Sequence, residues 1–423
     1  MPHDLNDLSH ALNAQSLRAL PERFGSPLWA YDAETIIERI GQLRQFDTIR
    51  FAQKACSNLH ILTLMRRQGV KVDSVSLGEI ERALAAGFEP GTDAHEIVFT
   101  ADVLDDATLQ RVHELNIPVN AGSIDMLHQL GERSPGHPVW LRINPGFGHG
   151  HSQKTNTGGE NSKHGIWYAD LPQALEALGR YRLKLVGIHM HIGSGVDYGH
   201  LEQVCDAMVQ QVLAVGQDLD AISAGGGLSI PYRHGGEHID TQHYYGLWNR
   251  AREQIAAHLE HPVALEIEPG RFLVAESGVL VAQVRAVKDM GSRHFVLVDA
   301  GFSDLMRPAM YGSYHHITLL PGDGRDLSQC ARRDSVVAGP LCESGDVFTQ
   351  QAGGGVETLA LPPAQVGDYL VFHDTGAYGA SMSSNYNSRP LIAEVLFEQG
   401  QPRLIRRRQT LDELLALERG LVE

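Results

Sequence analysis

The sequence predicts an α/β protein: a closed (β/α)8 TIM-like barrel over residues 28–279, then a mostly β C-terminal domain over 280–423 to which residues 1–27 contribute. Three observations carry that expectation. Short apolar runs alternate with segments of helical period, and eight such runs fall between residues 28 and 290. Polar residues with useful chemistry stand at the carboxyl ends of those runs, where a parallel barrel gathers its functional groups. After about Leu280 the helical spacers stop and β-rich sequence takes over. Eight repeats on one stretch favour a closed barrel over an open doubly wound sheet, which is usually shorter.

Taken in order, the run at 49–54 delivers Lys54 at its end, and a helical segment follows at 59–68. The run at 70–75 carries Asp73 and leads into 77–86. Runs at 96–100 and 117–120 precede helical segments at 105–114 and 124–131. The fifth run, 139–144, closes on Arg142 and Asn144, and the sixth, 183–191, on His189 and His191, with helical segments at 171–178 and 201–216 on either side. The seventh, 221–224, enters Gly225-Gly226-Gly227. After a helical stretch at 244–258 the eighth, 263–268, ends in Glu268-Pro269-Gly270-Arg271. Downstream, HFVLVDAG, DSVVAGPLCESGD and GDYLVFHDTGAYG read as strands, and EVLFEQGQPRLIRRR as a hairpin around Gln399 and Gly400. Leu411, Leu414, Leu415 and Leu417 recur at helical spacing, which predicts a terminal helix over 410–419.

Composition narrows the function. Of 423 residues, 43% are hydrophobic and 20% charged, enough apolar material for sizeable cores. A net charge of −16 argues against binding nucleic acid or an anionic membrane. An anionic substrate would need local cations. Cys56, Cys205, Cys330 and Cys342 show no CxxC spacing, which suits a reducing compartment. The first 25 residues lack the pattern of a secretory signal, and no apolar run approaches the ~20 residues of a membrane span, so a cytoplasmic location is expected.

The strand ends suggest one chemistry. A lysine that leaves a buried strand loses hydration, which favours the neutral, nucleophilic amine and makes Lys54 the candidate for a covalent bond to an aldehyde. Three glycines after the seventh run let backbone N–H groups approach a phosphate, with Ser194 able to add a hydroxyl. Glu268 would supply a carboxylate for a ring nitrogen, and His191 a flat imidazole to lie on the ring. Together these point to pyridoxal 5'-phosphate. Singly, each has a plainer reading: a surface lysine, a turn, a core histidine.

The motifs FAQKACSN, VDSVSLGE, HMHIGSG, AISAGGG, EIEPGRFLV, DLMRPAMYGSYHH, AGPLCESGD and DTGAYGASMSSNYN, in this order over nearly the whole chain, resemble the diaminopimelate decarboxylases, fold-type III pyridoxal-phosphate enzymes of bacterial lysine synthesis, and the enterobacterial type in particular. The resemblance implies that Lys54 carries the cofactor and His191 stacks on it. It implies phosphate contacts from Ser194, Gly227, Gly270, Arg271 and Tyr378, and a contact of Glu268 with the pyridine nitrogen. It further implies that Arg271, Arg307 and Tyr311 bind the distal carboxylate of meso-diaminopimelate, with Tyr378 close by. Glu343 would bind the distal ammonium and Cys342 would return a proton to the reacting carbon, both reaching the site from the partner subunit of a homodimer. His164 and Gly195 depart from the Phe and Gln of many relatives, which bears on subfamily and loop packing.

Three other readings compete. A decarboxylase of ornithine or arginine would share barrel and cofactor, but Arg307 would repel a side chain that ends only in a cation. A catalytically silent binding protein would be expected to lose Lys54, Cys342 or the glycines, and all are present. The segments GHGHS and HMHIGSG place His149 with His151 and His189 with His191 at strand spacing, as in a metal site, but their glycine-rich surroundings offer few groups to orient the imidazoles. No metal is expected. The run of Arg406, Arg407 and Arg408 reads as a solvated strand.

Overall fold

The computed structural model describes residues 8–91, 95–148, 158–191, 193, 197–233 and 235–421. Contacts divide the chain into two compact units. One comprises the described residues of Arg39–Ser229 and His238–Leu273, the other those of Met1–Glu38, Ile230–Glu237 and Val274–Glu423.

The first unit is a closed parallel barrel. Its eight strands are Thr48–Ala52, Lys71–Ser74, Ile97–Ala101, Val119–Ala121, Pro138–Asn144, Lys184–His189, Ala221–Ser223 and Ala264–Ile267. Each pairs in parallel with the next, and the eighth returns to the first with Glu266 opposite Thr48 and Ile267 opposite Ile49. All eight coincide with the apolar runs. A two-residue strand, Ile166–Trp167, pairs in parallel with the end of the fifth strand.

The intervening helices start where polar side chains cap them. Asn58, Ser76, Asp105, Ser123, Asp197 and Asp240 each accept a hydrogen bond from a first-turn backbone N–H, which satisfies donors that the helix itself leaves open. The seam between the first and eighth strands carries a buried ion pair. Arg50 Nε lies 2.6 Å from Glu266 Oε2, while its Nη1 donates to the carbonyl of His95 at 2.6 Å.

The second unit is built on a mixed sheet. Its main path runs Leu359–Leu361, Arg333–Ala338, Arg293–Val298, Gly278–Met290, Leu28–Asp32, Ala393–Glu398 and Gln401–Arg406, with Tyr369–Phe372 and Ile317–Leu320 joined through Gly278–Met290. Residues 28–38 and 274–279 therefore group with this sheet and not with the barrel. The cause is pairing: Leu28–Asp32 lies antiparallel to Gly278–Met290 and parallel to Ala393–Glu398. Leu12, Leu17 and Leu20 pack with Val279, Val281, Val371, Val395 and Phe397 in one core, which places the N-terminal helix Ala14–Phe24 on the sheet as expected.

The expected hairpin around Gln399 and Gly400 is present, joining Ala393–Glu398 to Gln401–Arg406. The terminal helix is shorter than its leucine pattern suggested, Leu411–Leu415, with Thr410 and Glu413 forming a capping box. Leu411 and Leu415 stay exposed, Leu411 at 62%, and Leu414 is half-buried. Among the described residues no helix is long and apolar enough to cross a membrane. All four cysteines are free, Cys56 and Cys205 buried and Cys330 and Cys342 exposed.

Candidate active site

The barrel strands deliver their polar side chains to one end. Lys54 sits on a single 3-10 turn, Gln53–Ala55, directly after the first strand. Its neighbours Gln53 and Ala55 are buried, but Lys54 itself is exposed in the single chain, contrary to the expectation of a desolvated amine. Its charge nevertheless acts on Asp73, Glu79 and His191.

Pro269 holds the next part of the site against that turn. Its carbonyl accepts the N–H of Ala52 at 3.1 Å, and a Cβ at Gly270 would stand 3.2 Å from the Ala52 carbonyl and from the Ala55 side chain. Arg271 then opens a four-residue helix, Arg271–Val274, and is half-buried.

Glu268 is buried and fully engaged. Oε2 accepts from His189 Nε2 at 2.7 Å and Oε1 from Ser223 Oγ at 3.0 Å. Burial pushes its carboxyl up, but the histidine beside it and the two hydrogen bonds outweigh that and hold it below the usual carboxylate range. Asp73, on the second strand, goes the other way: burial and the negative charge of Glu268 push it well up, against the pull of Lys54 and a bond to Thr100. Arg142 from the fifth strand is buried in the same region, facing Asp102, Glu268 and Asp73.

The glycine triplet follows the seventh strand. Gly225 and Gly227 have φ of +61° and +104°, and a Cβ at Gly225, Gly226 or Gly227 would lie 2.4, 2.6 or 2.3 Å from the carbonyl oxygen of Met190, Glu268 or Gly193. Only glycine fits such approaches. Gly226 N–H donates to His191 Nδ1 at 3.0 Å, fixing the ring beside the loop. Burial, together with the charges of Arg142 and Lys54, holds His191 well below its ordinary range, so its imidazole is neutral.

Lys54, His191, Gly227, Glu268, Gly270 and Arg271 therefore belong to one end of one barrel, with Lys54 and Glu268 both acting electrostatically on Asp73 and His191. Ser194, His149, His151 and Gly195 lie outside the described residues. His164 Nδ1 contacts Asp102 at 2.6 Å, and Gly165 N–H donates to the same carboxylate, so the departure from Phe is occupied by a polar loop contact. Among the described residues no group of three His, Cys, Asp or Glu could hold a metal ion; His189 and His191 are bonded to Glu268 and Gly226 instead.

The remaining sequence-predicted residues belong to the sheet unit. Arg307 opens the short helix Arg307–Tyr311 and is buried, its Nη1 donating to His315 Nε2 at 2.7 Å and its guanidinium 4.7 Å from the Tyr232 ring centre. Tyr311 is half-buried at the end of that helix. Tyr378 adopts a left-handed φ of +56°, an unusual backbone state for a bulky residue. Cys342 and Glu343 are exposed on a loop anchored by Cys342 N–H to Asn387 Oδ1 at 2.8 Å and Leu341 N–H to Asp346 Oδ2 at 2.8 Å.

Sequence reading named Asp73, Arg142 and His189 as polar residues near strand ends, His189 also as half of a metal pair, but gave none of them a part in the cofactor site and did not name Ser223. Their signal was positional, since each lies at or near the end of a barrel strand. What was missing is register: His189 pairs opposite Ser223, and Ser223 opposite Glu266, which brings both within reach of Glu268.

Residues 34–275 match the family described as pyridoxal-dependent decarboxylase, pyridoxal binding domain. A diaminopimelate decarboxylase of Escherichia coli (strain K12) is 74% identical over 418 residues, covering 99% of this chain and 100% of that protein. A crystal structure of diaminopimelate decarboxylase superposes with a TM-score of 0.96 at 74% identity, covering 99% of both chains. The arginine decarboxylase of Paramecium bursaria Chlorella virus, at 20% identity, TM-score 0.76 and coverage of 90% and 98%, shares the fold alone.

Proposed function

The chain belongs to the diaminopimelate decarboxylase family of pyridoxal-phosphate-dependent enzymes, and from that premise we propose that it decarboxylates meso-2,6-diaminopimelate at its D-configured centre, yielding L-lysine and carbon dioxide as the last step of bacterial lysine synthesis. The observation that carries the reading is the barrel mouth, where a strand-end lysine, a glycine cradle that no side chain could replace and a buried, charged carboxylate occur together. Those residues fit the cofactor. When bound, pyridoxal phosphate supplies an electron-poor ring that accepts the electron pair left when a bond to the substrate's α-carbon breaks.

The chain's own residues then have distinct tasks. Lys54 would hold the cofactor through Nζ. His191, neutral and fixed by Gly226, would pack against it. Gly227, Gly270, Arg271, Ser194 and Tyr378 would hold its phosphate. Glu268, charged and buried, would be the counter-charge for its ring nitrogen. Arg271, Arg307 and Tyr311, with Tyr378, would hold the substrate's distal carboxylate, for which a planar guanidinium fork is suited. Glu343 would take the distal ammonium, and Cys342 would be the proton donor toward the α-carbon, a thiol being able to act as an acid near neutral pH. Because Cys342 and Glu343 stand exposed in a single chain, we assign them to the partner's site in a homodimer of the cytoplasm.

The test is carbon dioxide release from stereochemically defined diaminopimelate, with ornithine, arginine and lysine as competitors. Release from the meso isomer alone supports the reading. Equal turnover of ornithine or arginine would refute the role of Arg307 and Tyr311.

A further inference from the structure

Glu268 and Asp73 are carboxylates buried in the same region of the barrel, and they are not equally provided with donors. Both oxygens of Glu268 receive a hydrogen bond, from His189 Nε2 and Ser223 Oγ. The hydroxyl of Ser223 has its direction fixed, because its oxygen accepts the N–H of Gly225 at 3.1 Å and leaves its single hydrogen for Glu268. Asp73 lies beside Thr100, whose oxygen receives Asn120 Nδ2 at 3.3 Å. Asp73 Oδ1, with the residue 2% exposed, has no partner.

The charged groups around the pair are Lys54 and Arg142 on the positive side and Glu79 on the negative, with His191 facing Glu268. Ionising both carboxylates in such a site costs more than ionising one, and the charge settles where donors are most numerous. A carboxyl with an unfilled oxygen is the better place for a proton.

We propose that His189 and Ser223 are positioning residues that fix the buried negative charge on Glu268, and that Asp73 carries the proton which the two carboxyl groups hold between them. For catalysis the inference rests on the reading that Glu268 faces the cofactor's ring nitrogen. With the clamp intact Glu268 stays an anion throughout turnover. Without it, charge moves toward Asp73, Glu268 takes up a proton, and the ring nitrogen loses its counter-charge.

Infrared spectroscopy of the cofactor-free protein tests the partition. The difference between wild type and Asp73→Asn should contain the C=O stretch of a buried protonated carboxyl, and in Ser223→Ala that stretch should move in frequency as the proton passes from Asp73 to Glu268. No such band in the difference between wild type and Asp73→Asn, or one unchanged by Ser223→Ala, overturns the proposal. In the holoenzyme, His189→Ala should lower kcat by roughly ten-fold or more with KM within about two-fold, and shift the cofactor absorbance. His189→Gln, which still donates, should restore most of both; equal impairment of the two variants also overturns it. Failure of the underlying reading would show separately, as a Glu268→Ala holoenzyme whose cofactor absorbance is unchanged, while the infrared result still decides where the proton lies.

Discussion

Arg50 and Glu266 are paired across the seam where the eighth barrel strand meets the first, Nε to Oε2 at 2.6 Å and Nη2 to Oε1 at 3.1 Å, with both side chains almost wholly out of solvent. A buried pair of this kind gives little net stability over an apolar replacement, but removal of one partner strands the other's charge in the interior. Arg50→Ala should therefore destabilise the protein by about 3–5 kcal/mol, measured by urea unfolding. Replacement of both residues by apolar side chains of similar volume should cost much less. A loss under 1 kcal/mol in the single variant would mean that the seam relaxes around the free carboxylate.

The glycine cradle makes a second prediction. A methyl group at Gly226 would meet the Glu268 carbonyl at 2.6 Å, and both are backbone-borne, so the loop must move. Gly226→Ala should weaken retention of pyridoxal phosphate by about ten-fold or more through lost loop geometry, read by dialysis and absorbance. Gly246, inside the helix Thr241–Leu259 with open space at its Cβ position, is the control. There alanine should leave cofactor retention unchanged and stabilise the helix by about 0.5–1 kcal/mol.

A third concerns pH. Asp304 in the sheet unit is pushed up to about 6, chiefly by burial, against the pull of the Gly301 N–H and of Arg389 and Arg408. An acid whose pKa is raised on folding binds its proton more tightly in the folded state. Its contribution is fully present below the unfolded value of 3.8 and is lost as pH rises through about 6. Asp304→Asn keeps an acceptor for Gly301 and removes the charge. It should raise stability by up to about 3 kcal/mol at pH 8 relative to wild type, with the gain shrinking toward pH 4. A gain of equal size at both pH values would contradict the assignment to ionisation.

Much of this was readable from residue order. The eight apolar runs became eight barrel strands because parallel strands buried on both faces need continuous Val, Ile and Leu, a signal local to each run. The hairpin at Gln399 and Gly400 was equally local. Leu28–Asp32 was not: a buried five-residue strand looks the same whichever sheet takes it, and its partners lie some 250 to 360 residues away in the chain. The exposed leucines of Leu411–Leu415 show the same limit, since spacing predicts a face and not what covers it. At the site, Lys54, Glu268 and the glycines were legible because each sits beside a strand end. The clamp of His189 and Ser223 on Glu268 depends on register between three strands, which no stretch of sequence encodes by itself.

The most direct measurement is borohydride reduction of the protein mixed with pyridoxal phosphate, followed by peptide mapping. The account predicts loss of the long-wavelength absorbance and one reduced pyridoxyl group, on Lys54, with Lys54→Ala taking up none at that peptide. A label on another lysine such as Lys71, or an absorbance that borohydride leaves untouched, would contradict it.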